Sequence, residues 1–189
     1  MLDAIYTSPL LGQGDKTVTR ILAETQAILG AGTETTGNTL SVLTYHVLSE
    51  PSIHRRLRRE LRDAEVGYSA DNTLLDYRML EKLPYLQACI KEALRLATGV
   101  SSRLPRTHRT APVSYTDPSG KKYTFPPGTV ISMSILDLHY NDSIFPAARS
   151  FKPERWLEAD GDTLRQMERG FVPVSRPQRR MLTPLPAQC

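Results

Sequence analysis

The longest regular pattern of apolar positions covers residues 18–48. There Val18, Ile21, Leu22, Ile28, Leu29, Leu40, Leu43, Val47 and Leu48 recur at helical rather than strand spacing. A helix of that span is about 45 Å long, against an ordinary length of about three turns. It is expected to cross a domain larger than this chain, with further helices upstream of Met1. Pro51 restarts the pattern, with Ser49 or Glu50 as cap and proline in the first turn. The helix predicted over 51–65 carries Arg55, Arg56, Arg58, Arg59 and Arg62 among Glu60, Asp63 and Glu65, and such a mixed run reads as a solvated face. Beyond the polar residues 67–73, Leu86, Cys89, Ile90, Ala93, Leu94 and Ala97 form an apolar stripe on a third helix over 84–97. After Arg103 the period shortens. Alternating runs over 113–116 and 129–135, bounded by Asp117-Pro118-Ser119-Gly120 and Pro126-Pro127-Gly128, predict a small antiparallel sheet. From Arg176 onward, Pro177, Pro184 and Pro186 interrupt a stretch without period, expected to be an irregular tail.

Composition narrows this picture only slightly. A chain of 189 residues with 40% hydrophobic and 23% charged content fits one globular domain that is mainly α with a small antiparallel β-sheet. The net charge of +4 comes from arginines spread among acids, so nucleic acid is not implied. Two cysteines, Cys89 and Cys189, cannot build a disulfide framework, and a reducing, intracellular setting fits best. Residues 1–11 have no basic, apolar leader pattern, and no apolar run approaches the roughly 18 residues of a membrane span. His46, His54, His108 and His139 show no metal-ligand spacing and read as packing or surface residues.

Three short constellations carry candidate chemistry. Ala31-Gly32-Thr33-Glu34-Thr35-Thr36, flanked by Gly30 and Gly37, is a poor helix interior, because each glycine costs about 0.5 to 1 kcal/mol relative to alanine. One reading is a loop between two helices, or small residues that admit a neighbouring helix. The other is a widened turn beside a flat cofactor or an oxygen molecule, with Glu34 and the Thr35 hydroxyl passing protons. Glu92-Ala93-Leu94-Arg95 places an acid and a guanidinium on one helix face, which alone reads as a surface ion pair. Phe151-Lys152-Pro153-Glu154-Arg155-Trp156 fixes an arginine between aromatics and proline, and alone is an ordinary loop.

In this order and at these separations the three resemble the C-terminal half of a cytochrome P450, the haem-thiolate monooxygenase family, in wording that looks fungal. The resemblance implies a partial cytochrome P450 fold over residues 1–173, built on the long central helix, the Glu-x-x-Arg helix and the Pro-Glu-Arg segment. It places Ala31 and Gly32 beside the haem and gives Glu34 and Thr35 to oxygen activation, as the groups that pass protons. Glu92, Arg95 and Arg155 would form a structural triad that locks the ligand loop. Arg106 would meet a haem propionate, with Arg103 and His108 as competitors. The implied cofactor is haem, and the implied partners are a lipophilic substrate and a reductase. Full-length relatives often sit at the endoplasmic reticulum membrane. The upstream helices, the substrate-recognition loops and any anchor are expected to lie outside this chain.

The match stops after Pro173. The family's haem signature, Phe-x-x-Gly-x-Arg-x-Cys-x-Gly, falls on Val174 to Thr183, where only Arg179 keeps its place. Pro177 and Thr183 replace both glycines, and Met181 stands at the position of the metal ligand. Proline has a fixed φ and no amide to offer the sulfur, and a methionine thioether is neutral and lacks the donation of a thiolate. Cys189 lies eight positions too late. Residues 174–189 therefore read as a divergent tail in place of the ligand loop, of the kind a shifted reading frame or a retained intron produces. Three readings follow: family monooxygenase chemistry, a non-catalytic chain without functional haem, and a basic helical interaction module on residues 55–62. For the chain as written the second is favoured, because a lost axial ligand outweighs intact supporting motifs.

Overall fold

The computed structural model describes residues 6–66, 76–99 and 101–173. The chain divides into two compact units, Met1–Gly99 and Val100–Cys189. No helix among the described residues is long and apolar enough to cross a membrane.

In the first unit a 3-10 turn at Gln13–Lys16 leads into α1, Val18–Ser49, whose first turn is capped by the Thr17 hydroxyl accepting from the Arg20 amide. Helix α1 runs as an uninterrupted α-helix of 32 residues, which excludes the loop reading of 30–37. Helix α2 is Pro51–Val66, α3 is the short Tyr77–Leu80, and α4 is Pro84–Ala97. Helix α1 packs along α4 and meets α2, which also packs on α4. The apolar centre draws Ile53 and Leu57 from α2 and Tyr85, Ala88, Cys89, Ala93 and Ala97 from α4. Each large side chain sealed there contributes about 1.5 to 3 kcal/mol. Helix α1 has no buried residue, and Val18, Leu22, Leu29, Leu40, Tyr45 and Leu48 stay exposed.

Helix α4 begins at Leu83-Pro84, where no local side chain caps it. The cap comes from α2. Glu60 accepts the Tyr85 amide at 2.8 Å with Oε1 and the Leu86 amide at 2.9 Å with Oε2. A carboxylate at this end also meets the positive pole of the helix dipole. At the other end Thr98 turns the chain with a left-handed φ of 33°, and Asn38 of α1 donates to the Ala97 carbonyl at 2.8 Å.

Among the described residues the second unit holds two separate two-stranded antiparallel sheets where one small antiparallel sheet was expected. Strand β1, Leu104–Thr107, pairs with β4, Val130–Met133, in the register Leu104↔Met133 to Thr107↔Val130. Strand β2, Val113–Thr116, pairs with β3, Lys122–Phe125. The run predicted over 129–135 is thus only partly strand, because Ser134 caps a helical turn, α5, Ile135–His139, by accepting the Asp137 amide. The β2–β3 turn is organised by the Asp117 carboxylate, which accepts from the Ser119 hydroxyl and from the amides of Ser119 and Lys121. Those bonds, the Ser119 hydroxyl foremost, hold the Asp117 pKa below the usual carboxylate value. Gly120 completes the turn at a φ of 86° that few other residues adopt.

Beyond the sheets lie α6, Arg155–Glu158, and α7, Gly161–Gly170, the latter capped by Asp160. An aromatic cluster forms the core here. The Trp156 ring lies 6.0 Å from Phe145 and 5.1 Å from Phe171, and His139 stacks on Phe171 at 5.8 Å. His139 is fully buried, and its Nε2 accepts the Val172 amide at 3.0 Å. Sequence spacing had placed it among packing or surface residues, and packing is what the structure shows.

Candidate functional site

The residues singled out on α1 all lie on open surface: Ala31, Gly32, Glu34 and Thr35 are exposed. Hydroxyl groups along this helix fold back onto the preceding turn, which satisfies them without breaking the backbone ladder. Thr35 Oγ1 donates to the Ala31 carbonyl at 2.8 Å, Thr39 to Thr35 at 3.0 Å, and Ser41 to Gly37 at 2.8 Å. A Cβ built on Gly30, Gly32 or Gly37 meets nothing within 4 Å, so among the described residues no neighbouring helix explains these glycines. Thr35 instead directs its methyl toward Gly99, whose added Cβ would lie 3.7 Å away. Glu34 and Thr35 are adjacent on an exposed, glycine-lined stretch of helix, an acid and a hydroxyl with open space beside them.

Glu92 and Arg95 are brought together as a bidentate pair. Arg95 Nε donates to Glu92 Oε2 at 3.1 Å and its terminal nitrogen to Oε1 at 2.8 Å. Both side chains are 0% exposed, so the surface reading of this pair is wrong. The reason is position: residues 85, 88, 92 and 95 share the face of α4 that turns inward, and two paired charges ride on it. Such a pair is tolerated in the interior only because each charge meets its complement in a forked geometry.

Arg155 belongs to the second unit. One terminal nitrogen donates to the Pro146 carbonyl at 2.7 Å, and the other to Ala147 at 3.2 Å and Ser150 at 3.4 Å. It grips the loop 146–150, where Ala147 adopts a φ of 53° and Asp142 accepts the Ala148 amide at 2.8 Å. Pro153 is fully buried and Phe151 and Trp156 nearly so, which fixes the segment that carries the arginine.

Arg106 sits on β1, exposed, and donates to its own neighbour's carbonyl at Pro105. Its competitors differ in freedom. His108 Nδ1 accepts the Ala111 amide at 3.1 Å and so shapes a turn, while Arg103 is exposed ahead of the strand. Arg179, Met181 and Cys189 lie outside the described residues. Glu60 and Asn38 escaped the sequence reading. Glu60 is one acid in a mixed run, although the bare Leu83-Pro84 helix start was a signal that a cap must come from elsewhere.

Among the described residues no thiolate is placed to hold a haem. The chain has two cysteines: Cys89 is fully enclosed on the inner face of α4, and Cys189 lies outside the described residues. Among the described residues no three His, Cys, Asp or Glu side chains gather as a metal site.

The profile of the cytochrome P450 family matches residues 8–176. The chain is 44% identical over 179 residues to an N-acetyltryptophan 6-hydroxylase of Emericella nidulans, covering 93% of this chain and 33% of that protein. It is 40% identical over 174 residues to a fusicoccadiene C-8 hydroxylase of Alternaria brassicicola, covering 92% of this chain and 31% of that one. A fusicoccadiene C-8 hydroxylase of Phomopsis amygdali is 37% identical over 182 residues, or 96% of this chain and 33% of its own length. The chain thus spans about a third of the length of these curated fungal relatives. With a profile match over most of its residues, an unbroken long helix and the buried Glu92–Arg95 pair in place, this chain belongs to the cytochrome P450 family.

Proposed function

We propose that this chain keeps the supporting frame of a cytochrome P450 monooxygenase but, as written, carries out no oxygen insertion. The family's cofactor is haem, and the chemistry it supplies when bound is insertion of one atom of dioxygen into a lipophilic organic molecule, with electrons from a reductase. The hydroxylases it resembles are named for N-acetyltryptophan and fusicoccadiene. The observation that carries the proposal is the sulfur inventory: by the resemblance Met181 falls at the ligand position and Cys189 comes eight positions later, while Cys89 is sealed within α4. A neutral thioether lacks the charge a thiolate donates, and Pro177 removes an amide from the loop that would surround it. Glu34 and Thr35 then stand as the acid and hydroxyl of the frame, and Glu92 with Arg95 and Arg155 as its structural lock. Arg106 is the cation that would face a propionate, ahead of Arg103 and His108, and Arg179 is the cofactor-binding residue that the signature keeps.

The test is spectroscopic. The purified chain, mixed with haem, reduced and exposed to carbon monoxide, is expected to show no thiolate-type band. Appearance of that band would return the chain to the active members of the family.

A further inference from the structure

We propose that α2 is a docking face for an anionic phospholipid surface, held by the guanidinium row Arg55, Arg58, Arg59 and Arg62. The proposal is independent of whether the chain binds haem. The four arginines recur at i, i+3, i+4 and i+7, the spacing of a single helix face, and span about 10.5 Å along the axis. All four are exposed, while Ile53 and Leu57 on the opposite side are buried. Among the described residues none of the four has an ion-paired or hydrogen-bonded partner. The helix's other charges are placed differently. Glu60 is turned to the Tyr85 and Leu86 amides, Arg56 lies over the Tyr85 ring at 4.4 Å, and Asp63 and Glu65 border the row.

The shape and chemistry of the row select among anionic partners. A protein interface needs an apolar centre with charges at its rim, and this face has charges at its centre and no apolar anchor. A single-stranded nucleic acid needs aromatic platforms, the row itself carries none, and the Tyr85 ring beside the helix is buried under Arg56. A nucleic-acid groove would also hold phosphates against Asp63 and Glu65 on either side of the row. Lipid headgroups move laterally, so phosphates gather at the guanidiniums and leave the flanking acids to water. Guanidinium forks match phosphate oxygens, and each arginine near an anionic surface strengthens binding by about fivefold. The apolar side of α2 is committed to the core, so the attachment is adsorption rather than insertion and weakens with salt.

The experiment uses the full chain with vesicles of phosphatidylcholine containing phosphatidylserine, compared with phosphatidylcholine alone. Apolar adsorption through the exposed side chains of α1 would add to both kinds alike, so the ratio of the two affinities is the readout. Expected are a strong preference for the anionic vesicles, its steep loss with added salt, and a fall of about a hundredfold or more in R55Q/R58Q/R59Q/R62Q with helical circular dichroism unchanged. Should the fourfold variant fail to fold, R58Q and R59Q singly decide, each with about a fivefold loss. Equal binding to both vesicles, indifference to salt, or an undiminished preference in the glutamine variants would overturn the proposal. So would transfer of the chain from anionic vesicles to duplex DNA or polyglutamate at matched charge.

Discussion

Glu60 of α2 accepts the Tyr85 amide at 2.8 Å, so the α4 helix is capped by a neighbour and not by its own sequence. Its second oxygen takes the Leu86 amide, and Pro84 at the helix start has no amide to satisfy. One carboxylate therefore closes the donors that α4 leaves open and ties it to α2. Glu60→Ala is expected to cost about 1 to 2 kcal/mol, in the range of a lost helix cap, and Glu60→Gln less, since one acceptor remains. Urea denaturation followed by circular dichroism reads both. Equal stability of the alanine variant and the unaltered chain would show that water replaces the cap without loss.

The buried Glu92–Arg95 pair carries a different prediction. Removing one partner takes from the other its buried counter-charge, so Glu92→Ala or Arg95→Ala is expected to cost about 3 to 5 kcal/mol. Replacing both by apolar residues, Glu92→Leu with Arg95→Met, removes the two buried charges together. The double variant is therefore expected to be more stable than either single one. A double variant that loses as much as the two singles combined would mean that the pair is needed as a pair.

These two relationships also mark how far the sequence can be read. The helices over 18–48, 51–65 and 84–97 were legible because their apolar periods are long, and the strand at Val113–Thr116 because turn residues bound it. Strands β1 and β3 were not, since Leu104–Thr107 and Lys122–Phe125 lie almost wholly on exposed surface and have no buried alternation to betray them. The helical turns after Ser134 and Glu154 are short, and short helices are set by caps and packing more than by period, while Gly161–Gly170 has only Leu164 and Met167 as large apolar residues to mark one. The candidate residues were legible as motifs, but burial was not. Nothing local distinguishes Glu92–Arg95 from the exposed Arg20–Glu24 pair on α1, because depth is a property of the neighbours.

His46 of α1 yields a pH prediction. Partial burial lowers its pKa below the ordinary 6.5, while Glu50 and Glu92 pull it back up and only partly offset that. The unfolded chain therefore binds a proton before the folded one does. Stability from this group is complete above pH 6.5 and declines as pH falls from there through the folded pKa. The chain is expected to lose stability on acidification through that window, and His46→Gln to lose less of it. An identical pH profile in the variant would assign the acid sensitivity to another group.

Gly170 ends α7 against Ile144, and a Cβ there would stand 2.7 Å from Ile144 Cγ2 and 3.4 Å from the Phe145 ring. Real side chains do not approach so closely, so Gly170→Ala has to push the Ile144 methyl into the aromatic cluster of Phe145, Trp156 and Phe171. Overpacking of this kind costs about 1 to 3 kcal/mol. The gain that alanine offers a helix is smaller, at about 1 kcal/mol at most, and α7 is ending there in any case. Gly170→Ala is thus expected to destabilise the second unit, with weaker near-ultraviolet circular dichroism from the ring cluster. Ile144→Ala removes Cγ2, and combined with Gly170→Ala it is expected to be less destabilised than the two separate losses summed. Strict additivity of the two changes would mean that the contact at Ile144 is not what requires a glycine at position 170.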